Sequence, residues 1–152
     1  MTTPLSLASA KRLVTAQKPR SRGRSQGNFG LGVASAGDCG PVMMPVWYRY
    51  EPGGEIIILT ERNSRKARLI RGAGRFSLCA QQDQPPYQYV TVEGPVTRIQ
   101  NSVTVEERRM LARRYLGTEE GNRYIASTAA ATPDIIAIQM LPERWLAVDQ
   151  GK

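Results

Sequence analysis

Residues 55–68 read EIIILTERNSRKAR and carry the strongest local signal in the chain. The first six of these residues, 55–60, form a short and almost wholly apolar run, which predicts a strand with both faces buried. A tight turn follows, and Ser64 can cap a helix over Arg65–Arg71 that ends at Gly72 and Gly74. The segment therefore predicts a strand, a turn and a short helix in direct succession.

Further strand signals lie on both sides of this segment. The predicted strands are Phe29–Ala36, Val42–Tyr50, Arg75–Ala80, Tyr87–Ile99 and Ile135–Leu141, with a last extended piece at Glu143–Val148. The turn at residues 51–54 predicts a hairpin, and Pro45 and Gly94-Pro95 predict an edge position or a bulge in their strands.

Two further helices are predicted after the long strand. Thr104 and Glu107 form a capping box that opens a helix to Leu116, and a second helix is predicted over Thr118–Ala131. The arginines at 108, 109, 113 and 114 share the first of these helices with two glutamates, which predicts a solvated face. Six short strands with few helices predict a mainly β fold, a small closed or split antiparallel barrel.

Length and charge predict two regions of different character. The chain has 152 residues and a net charge of +8, which fits one domain. Residues 1–28 contain six basic residues and no acid, so we expect a basic N-terminal helix or arm, mobile in part, followed by a barrel domain over residues 29–152. No apolar run is long enough to span a bilayer and no secretory signal is evident, so we expect a cytoplasmic protein without membrane contact.

The amino-acid composition excludes several kinds of catalytic and metal-binding site. The chain contains no histidine, which excludes histidine-dependent triads, imidazole bases and histidine metal ligands. Its two cysteines, Cys39 and Cys79, are far apart in sequence, so we expect no metal site and two reduced thiols.

The start of the predicted helix has an unusual charge. A helix N-terminus favours acids, yet Arg65, Lys66 and Arg68 place three cations in its first four residues. A bound phosphate would explain them, because free backbone amides and the cations would all donate to it. A solvated basic face is the competing explanation, and these residues alone do not separate the two.

The run T-x-x-N-S-R-K-A-R, followed by a strand like RFSLCA, resembles the pyridoxamine 5′-phosphate oxidase-like split β-barrels. The resemblance extends over roughly Phe29–Val148 and is sharpest over Pro41–Gly94. It implies a six-stranded antiparallel split β-barrel of the FMN-binding type. It also implies a homodimer that holds FMN or the deazaflavin coenzyme F-420 in two sites at the subunit interface and acts on a small-molecule substrate.

The resemblance also implies which residues form the site. Thr60, Arg65 and Lys66 match positions that hold the cofactor phosphate. The other expected cofactor contacts are Met44, Pro45, Val46 and Trp47 beside the ring, and Leu59, Arg62, Ser64, Arg68, Tyr87, Tyr89 and Trp145 around it. No residue stands out as catalytic, and Tyr89 and Arg49 are the candidates. For Trp47 and Trp145, packing in the core or in an interface is the competing interpretation.

Departures from the family pattern narrow the expected activity. The vitamer oxidases have an arginine where this chain has Met44, and a C-terminal histidine that this chain lacks. The sequence is closer to flavin- or deazaflavin-dependent oxidoreductases that transfer hydride to small unsaturated substrates. Between the cofactors we favour coenzyme F-420, because Arg62, Arg68 and Arg71 could bind the carboxylates of its tail; FMN is the alternative.

Two other functions compete with the oxidoreductase. A flavin-binding protein without turnover would have the same cofactor site. A nucleic-acid-binding barrel is the weaker alternative, since it depends on the basic arm and on the short Tyr87-Gln88-Tyr89 motif as a stacking platform.

Overall fold

A computed structural model describes residues 3–4, 7–9, 29–33, 40–81, 85, 87–129 and 134–149. Most of the predicted N-terminal arm therefore lies outside the described residues, as does Cys39. Of the arm, residues 3–4 form a strand and residues 7–9 form the described part of a helix, α1.

The described residues form nine strands and three helices besides α1. The strands are β1 (Thr3–Pro4), β2 (Phe29–Val33), β3 (Val42–Met44), β4 (Tyr48–Tyr50), β5 (Ile56–Glu61), β6 (Arg75–Gln81), β7 (Gln88–Gln100), β8 (Ile135–Met140) and β9 (Arg144–Asp149). The helices are α2 (Arg65–Ala73), α3 (Val105–Leu116) and α4 (Thr118–Thr128). The fold is mainly β with a few helices, as predicted.

The strand count exceeds the predicted six for identifiable reasons. The extended piece near the C-terminus is a full strand, β9, which pairs with both β7 and β1. The predicted strand Val42–Tyr50 is two strands, because the ladder is interrupted at residues 45–47. Pro45 has no N–H to donate to a ladder, so a break at this position is expected physically.

Two antiparallel sheets share β7. The first part of β7 pairs with β9 over Gln88–Glu93 and with β6 over Tyr89–Pro95, and its last part, from Val96 to Gln100, pairs with β8. The first sheet has the order β1-β9-β7-β6-β2-β3 and the second has the order β7-β8-β5-β4. Because β3 lies in the first sheet and β4 in the second, the chain crosses between the sheets a second time at Pro45.

The bend predicted in β7 is present. The pairing of β7 with β8 shifts register between Val96 and Arg98. A Cβ atom built on Gly94 would lie 1.8 Å from the carbonyl oxygen of Leu141, so the two backbones approach as closely as a glycine allows. The Leu141 N–H donates to the carbonyl of Pro95 at 3.0 Å, which fastens the bend.

Inward-facing side chains of both sheets form one core. Alternate residues of β5, Ile56 and Ile58, are fully buried, and Phe76 and Leu78 of β6 are buried in the same way. The remaining strands contribute Tyr48, Tyr50, Val90, Val92, Ile136, Ile138 and Met140. The prediction that both faces of β5 are buried is half right, because Ile57 and Leu59 on its outer face are only partly covered.

Helix α3 is attached to the edge of the second sheet by one tyrosine. The Tyr115 hydroxyl accepts from the backbone N–H of Tyr48 at 3.2 Å and donates to the carbonyl of Tyr48 at 3.1 Å. The backbone of edge strand β4 is therefore satisfied by a side chain at this point, which closes it to pairing with another strand. None of the described helices is both long and apolar enough to cross a membrane.

The helix ends follow the predicted signals with one exception. Thr104 and Glu107 form both hydrogen bonds of the capping box at the start of α3. Gly74 is the C-cap of α2 with a φ of 66°, which favours glycine. Gly72, predicted to help end this helix, instead lies inside it. The last residues of the helix predicted to Ala131 lie outside the described residues beyond 129.

We expect opposite effects from alanine at two glycines. Gly94→Ala should lower the free energy of unfolding by about 2–4 kcal/mol, because the added methyl group collides with backbone atoms of Leu141. Gly72→Ala is the matched control: its added Cβ meets no atom within 4 Å and should stabilise the helix by about 0.5–1 kcal/mol. Urea unfolding measures both, and equal stabilities for Gly94→Ala and wild type would contradict the close approach.

Candidate functional site

The turn between β5 and α2 is held by two hydroxyl groups. Ser64 is the N-cap of α2, and its Oγ accepts from the Ala67 N–H at 3.1 Å. The Thr60 Oγ1 lies 3.1 Å from the same oxygen, so a buried threonine supports the cap from the end of β5. Thr60 and Ser64, both predicted to contact the cofactor, thus shape the turn from within.

Several backbone amides at this turn lack an acceptor. The Arg62 N–H bonds to the carbonyl of Asp134, and the Ser64 N–H bonds to Glu61. In the described part of the chain no acceptor meets the N–H groups of Asn63, Arg65 and Lys66. The first turn of α2 also contains no acid, so its positive end is uncompensated. This arrangement favours an anion.

Two of the five cations at this turn have no partner in the described part of the chain and could meet such an anion. Arg65 is exposed and Lys66 is half-buried, and neither forms a hydrogen bond or ion pair with another described residue. Partial burial lowers the pKa of Lys66, and the negative charge of Glu61 opposes that shift. A half-buried ammonium without a partner is costly, and an anion placed against it would remove that cost.

The other three arginines are engaged with the protein itself. Arg62 binds Asp134 and Asn101 through its guanidinium. Arg68 donates to the carbonyl of Asn63 and Arg71 donates to the carbonyl of Arg62, each at 2.9 Å. Contrary to the prediction, these three arginines therefore do not extend outward, where they could bind a carboxylate tail.

The break between β3 and β4 exposes a second set of backbone groups. Met44 is half-buried, Pro45 is exposed and Val46 is buried. Among the described residues, the amides of Val46 and Trp47 have no hydrogen-bond acceptor. The residues predicted to lie beside the cofactor ring thus coincide with a gap in the backbone ladder.

Both tryptophans pack against other aromatic rings. The Trp47 ring stacks on Tyr115 with centroids 5.3 Å apart and planes 3° apart, and it also contacts Tyr124. Trp145 pairs with Val92 across the ladder, points into the barrel and lies 5.8 Å from the Tyr50 ring. The competing interpretation of these tryptophans as packing residues agrees with this geometry.

The two candidate catalytic residues lie on different sheets. Tyr89 alternates with buried Val90 and therefore faces outward on the first sheet, and Tyr87 precedes it with about half of its surface exposed. Arg49 faces outward on the second sheet between buried Tyr48 and Tyr50. One chain therefore does not bring Tyr89 and Arg49 to the same point.

A cleft of about 240 Å³ lies between α3 and the outer face of the second sheet. Its floor is apolar, formed by Ile57, Leu59 and Ala137, and Met110 and Leu111 of α3 form the wall. Charged and amide side chains surround this apolar interior: Arg49, Glu51, Gln100, Glu107, Arg114 and Gln139. An apolar slot with a few polar groups at its rim suits a flat small molecule.

Two of the charged side chains at the cleft, Glu107 and Arg49, differ in how firmly hydrogen bonds hold them. Hydrogen bonds from Thr104 lower the pKa of Glu107, and Gln100 and the positive charge of Arg49 act in the same direction. Glu107 is therefore a fixed carboxylate. Arg49 forms no hydrogen bond or ion pair with any other described residue, so its guanidinium can turn to a ligand.

Sequence reasoning missed the helix side of this cleft. The α3 arginines were expected on a solvated face, but the Arg114 guanidinium lies 6.0 Å from the centre of the Tyr48 ring and lines the cleft. Glu107, Leu111 and Arg114 recur at helical spacing, and that periodicity was the available signal. It could not show which sheet the helix covers.

Solved structures of other proteins share the fold of this chain, but their sequences differ widely from it. No protein-family model and no curated protein matches this sequence. A structure named F420 reductase superposes with a TM-score of 0.60 at 19% identity, covering 77% of this chain and 86% of its own. A FAD-binding protein of Mesorhizobium loti superposes with a TM-score of 0.58 at 14% identity, covering 98% and 96%.

A candidate pyridoxamine 5′-phosphate oxidase of Listeria innocua superposes with a TM-score of 0.51 at 12% identity, covering 77% of this chain and 84% of that one. These neighbours are split β-barrels of the flavin-binding type. This chain has their fold. The predicted split barrel and the structural part of the resemblance are therefore confirmed, whereas identities this low say nothing of substrate.

We expect the Lys66 side chain to make the free energy of unfolding depend on pH. Its pKa is lowered in the folded protein, so between that value and the ordinary value of about 10.4 the unfolded chain binds more protons, and Lys66 makes stability rise with pH. Relative to Lys66→Met, wild type should therefore gain stability as pH increases through this window. Urea unfolding from pH 7 to 10.5 tests this.

The variant Glu61→Gln is the matched control for this shift. Removing the attraction of Glu61 should move the rise to lower pH, because that attraction opposes the lowering of the Lys66 pKa. A difference between wild type and Lys66→Met that stays constant with pH would mean that the ammonium is solvated in the folded protein.

Proposed function

We propose that this protein is an oxidoreductase that binds a flavin-type cofactor by its phosphate and passes hydride to a small unsaturated substrate. One observation carries the proposal. In a split barrel, a positive helix end with no acid in its first turn, and with the amides of Arg65 and Lys66 unpaired among the described residues, lies beside the half-buried Lys66 ammonium, which has no described partner. The residues present fit a phosphate in number and in charge.

The protein's part in the reaction is binding and orientation. A reduced flavin or deazaflavin, when bound, supplies the hydride. The free amides of Val46 and Trp47 would donate to the polar edge of its ring, and the apolar floor at Ile57 and Leu59 would keep water from the reacting face. Arg49, exposed at the cleft rim, would orient the substrate through its anionic or carbonyl group.

Coenzyme F-420 stays our first choice of cofactor, with FMN as the alternative. The carboxylate tail of F-420 gives little support to this choice, since Arg62, Arg68 and Arg71 bond to the protein. What supports F-420 is the neighbour named F420 reductase.

We further propose that two copies complete each site. Met43 and Leu146 are 68% and 59% exposed, and the register of the first sheet places both on the outward face that contains Tyr89. A second copy packed on this face would cover these apolar side chains and could present Tyr89 to the other chain's cofactor. Tyr89 would then be available as a proton donor to the product.

The cofactor proposal is tested by titrating FMN and coenzyme F-420 in parallel at physiological salt, with fluorescence quenching as the readout. We expect at least one to bind with micromolar affinity. Lys66→Ala should weaken binding by about ten- to hundredfold, the effect of losing a hydrogen bond to a charged group. Arg123→Ala removes a cation from exposed α4 and serves as the matched control, with affinity unchanged.

The same preparation separates turnover from binding alone. Oxidation of the bound reduced cofactor by an activated alkene such as cyclohexenone supports the oxidoreductase, whereas tight binding without oxidation favours a flavin-binding protein. Wild-type affinity in Lys66→Ala would place the phosphate elsewhere. Failure of both cofactors to bind would overturn the proposal and make single-stranded nucleic acid the next ligand to test.

We expect Leu146→Glu to dissociate the proposed dimer, because a charge would be buried in an apolar interface. Sedimentation or light scattering should then report a monomer, while Val105→Glu should leave the dimer intact. Val105 is 53% exposed at the start of α3, where an acid is tolerated. A wild-type monomer at micromolar concentration would contradict the shared site.

A further inference from the structure

Arg62 joins three separate parts of the chain. It follows the last residue of β5, and its guanidinium reaches both carboxylate oxygens of Asp134, just before β8, with one contact at 3.0 Å. The same guanidinium donates to the side-chain oxygen of Asn101 at 2.8 Å and to the Asn101 carbonyl, just after β7. The backbone N–H of Arg62 also bonds to the Asp134 carbonyl at 2.8 Å.

These contacts use nearly all the donors that the side chain has. An arginine has five N–H donors, and four of them are engaged here, two with Asp134 and two with Asn101. The carboxylate of Asp134 would also repel an approaching anion. Arg62 is therefore poorly placed to contact a phosphate directly, although it lies in the anion-binding turn.

Two arginines of α2 donate hydrogen bonds to backbone carbonyls of the same turn. Arg71 donates to the carbonyl of Arg62, and Arg68 donates to the carbonyl of Asn63. With these carbonyls held by guanidinium groups, the peptide units of the turn have little freedom to rotate. The Arg62 carbonyl shares its peptide unit with the Asn63 N–H, so that amide keeps its direction. The Ser64 carbonyl accepts from the Arg68 N–H at 3.1 Å, which fixes the direction of the Arg65 amide in the same way.

We propose that Arg62 is a positioning residue of the anion site: it locks the turn at residues 61–64 to Asp134 and Asn101, so that the free amides and Lys66 converge, and it does not touch the anion. The proposal rests on the proposed function, since it assigns the means by which that site is preorganised. Preorganised donors bind an anion better than mobile ones, because less ordering is required on binding.

A charge exchange distinguishes positioning from direct contact. Arg62→Asp and Asp134→Arg should each weaken binding of FMN, used as the probe, by about tenfold, since each removes the lock. The double variant restores an ion pair between the same positions, and we expect its affinity to return to within about threefold of wild type. If Arg62 contacts the anion, the double variant should bind as weakly as Arg62→Asp, and that result would overturn the proposal.

The salt dependence of affinity independently distinguishes direct contact with the anion from positioning. Arg62→Ala should weaken binding while retaining the wild-type slope of log Kd against log salt, because no ionic contact to the anion is lost. Lys66→Ala, the matched control, should reduce that slope. A reduced slope in Arg62→Ala would show direct contact and would contradict the assignment.

Hydrogen exchange without any cofactor keeps this proposal separable from the proposed function. Amides of residues 61–68 should exchange faster in each single variant and at the wild-type rate in the double variant, with residues 105–116 of α3 as the unchanged reference. If wild type binds neither cofactor but the variants show these exchange rates, then Arg62 holds the turn as proposed and the proposed ligand is wrong. Unchanged exchange in Arg62→Asp would overturn the lock itself.

Discussion

Strand β7 can pair in both sheets because Gly94 has no side chain. The carbonyl of Leu141 occupies the space that a Cβ would need, and the hydrogen bond from Leu141 to Pro95 fastens the bend beyond it. With β7 bent, its two halves direct their inner faces to a common interior. The burial of Ile58, Leu78 and the other core residues, and hence the stability of the barrel, depends on this one close approach.

The second crossing between the sheets, at Pro45, has a different consequence. A proline cannot donate to a ladder, and the residues after it leave the amides of Val46 and Trp47 without acceptors in the described part of the chain. The Trp47 ring stacks on Tyr115, whose hydroxyl bonds to the backbone N–H and carbonyl of Tyr48. At this crossing the chain is therefore held by side-chain contacts, while two backbone amides have no acceptor among the described residues.

The basic turn divides its cations by role. The guanidinium groups of Arg62, Arg68 and Arg71 donate to carbonyl and carboxylate oxygens of the protein. Arg65 and Lys66 form no such bond with any described residue. The anion site that we propose would use both groups, because a flexible turn with five mobile cations would have to be ordered at each binding event. A count of positive charges in the sequence cannot separate the two groups, since an arginine that builds a site and one that binds its ligand look alike.

Local chemistry in the sequence was enough to determine the elements: the apolar run before the turn, the Ser64 cap, the capping box at Thr104 and the bend at Gly94-Pro95 all depend on near neighbours. The split-barrel fold followed from these elements and from the family resemblance. Only the tertiary structure decided that Arg62 pairs with Asp134, 72 positions away, that α3 covers Leu59 to form a cleft, and that Tyr89 and Arg49 lie on different sheets. Such contacts depend on which strands, far apart in the sequence, lie next to each other, and a local pattern of apolar residues does not show that.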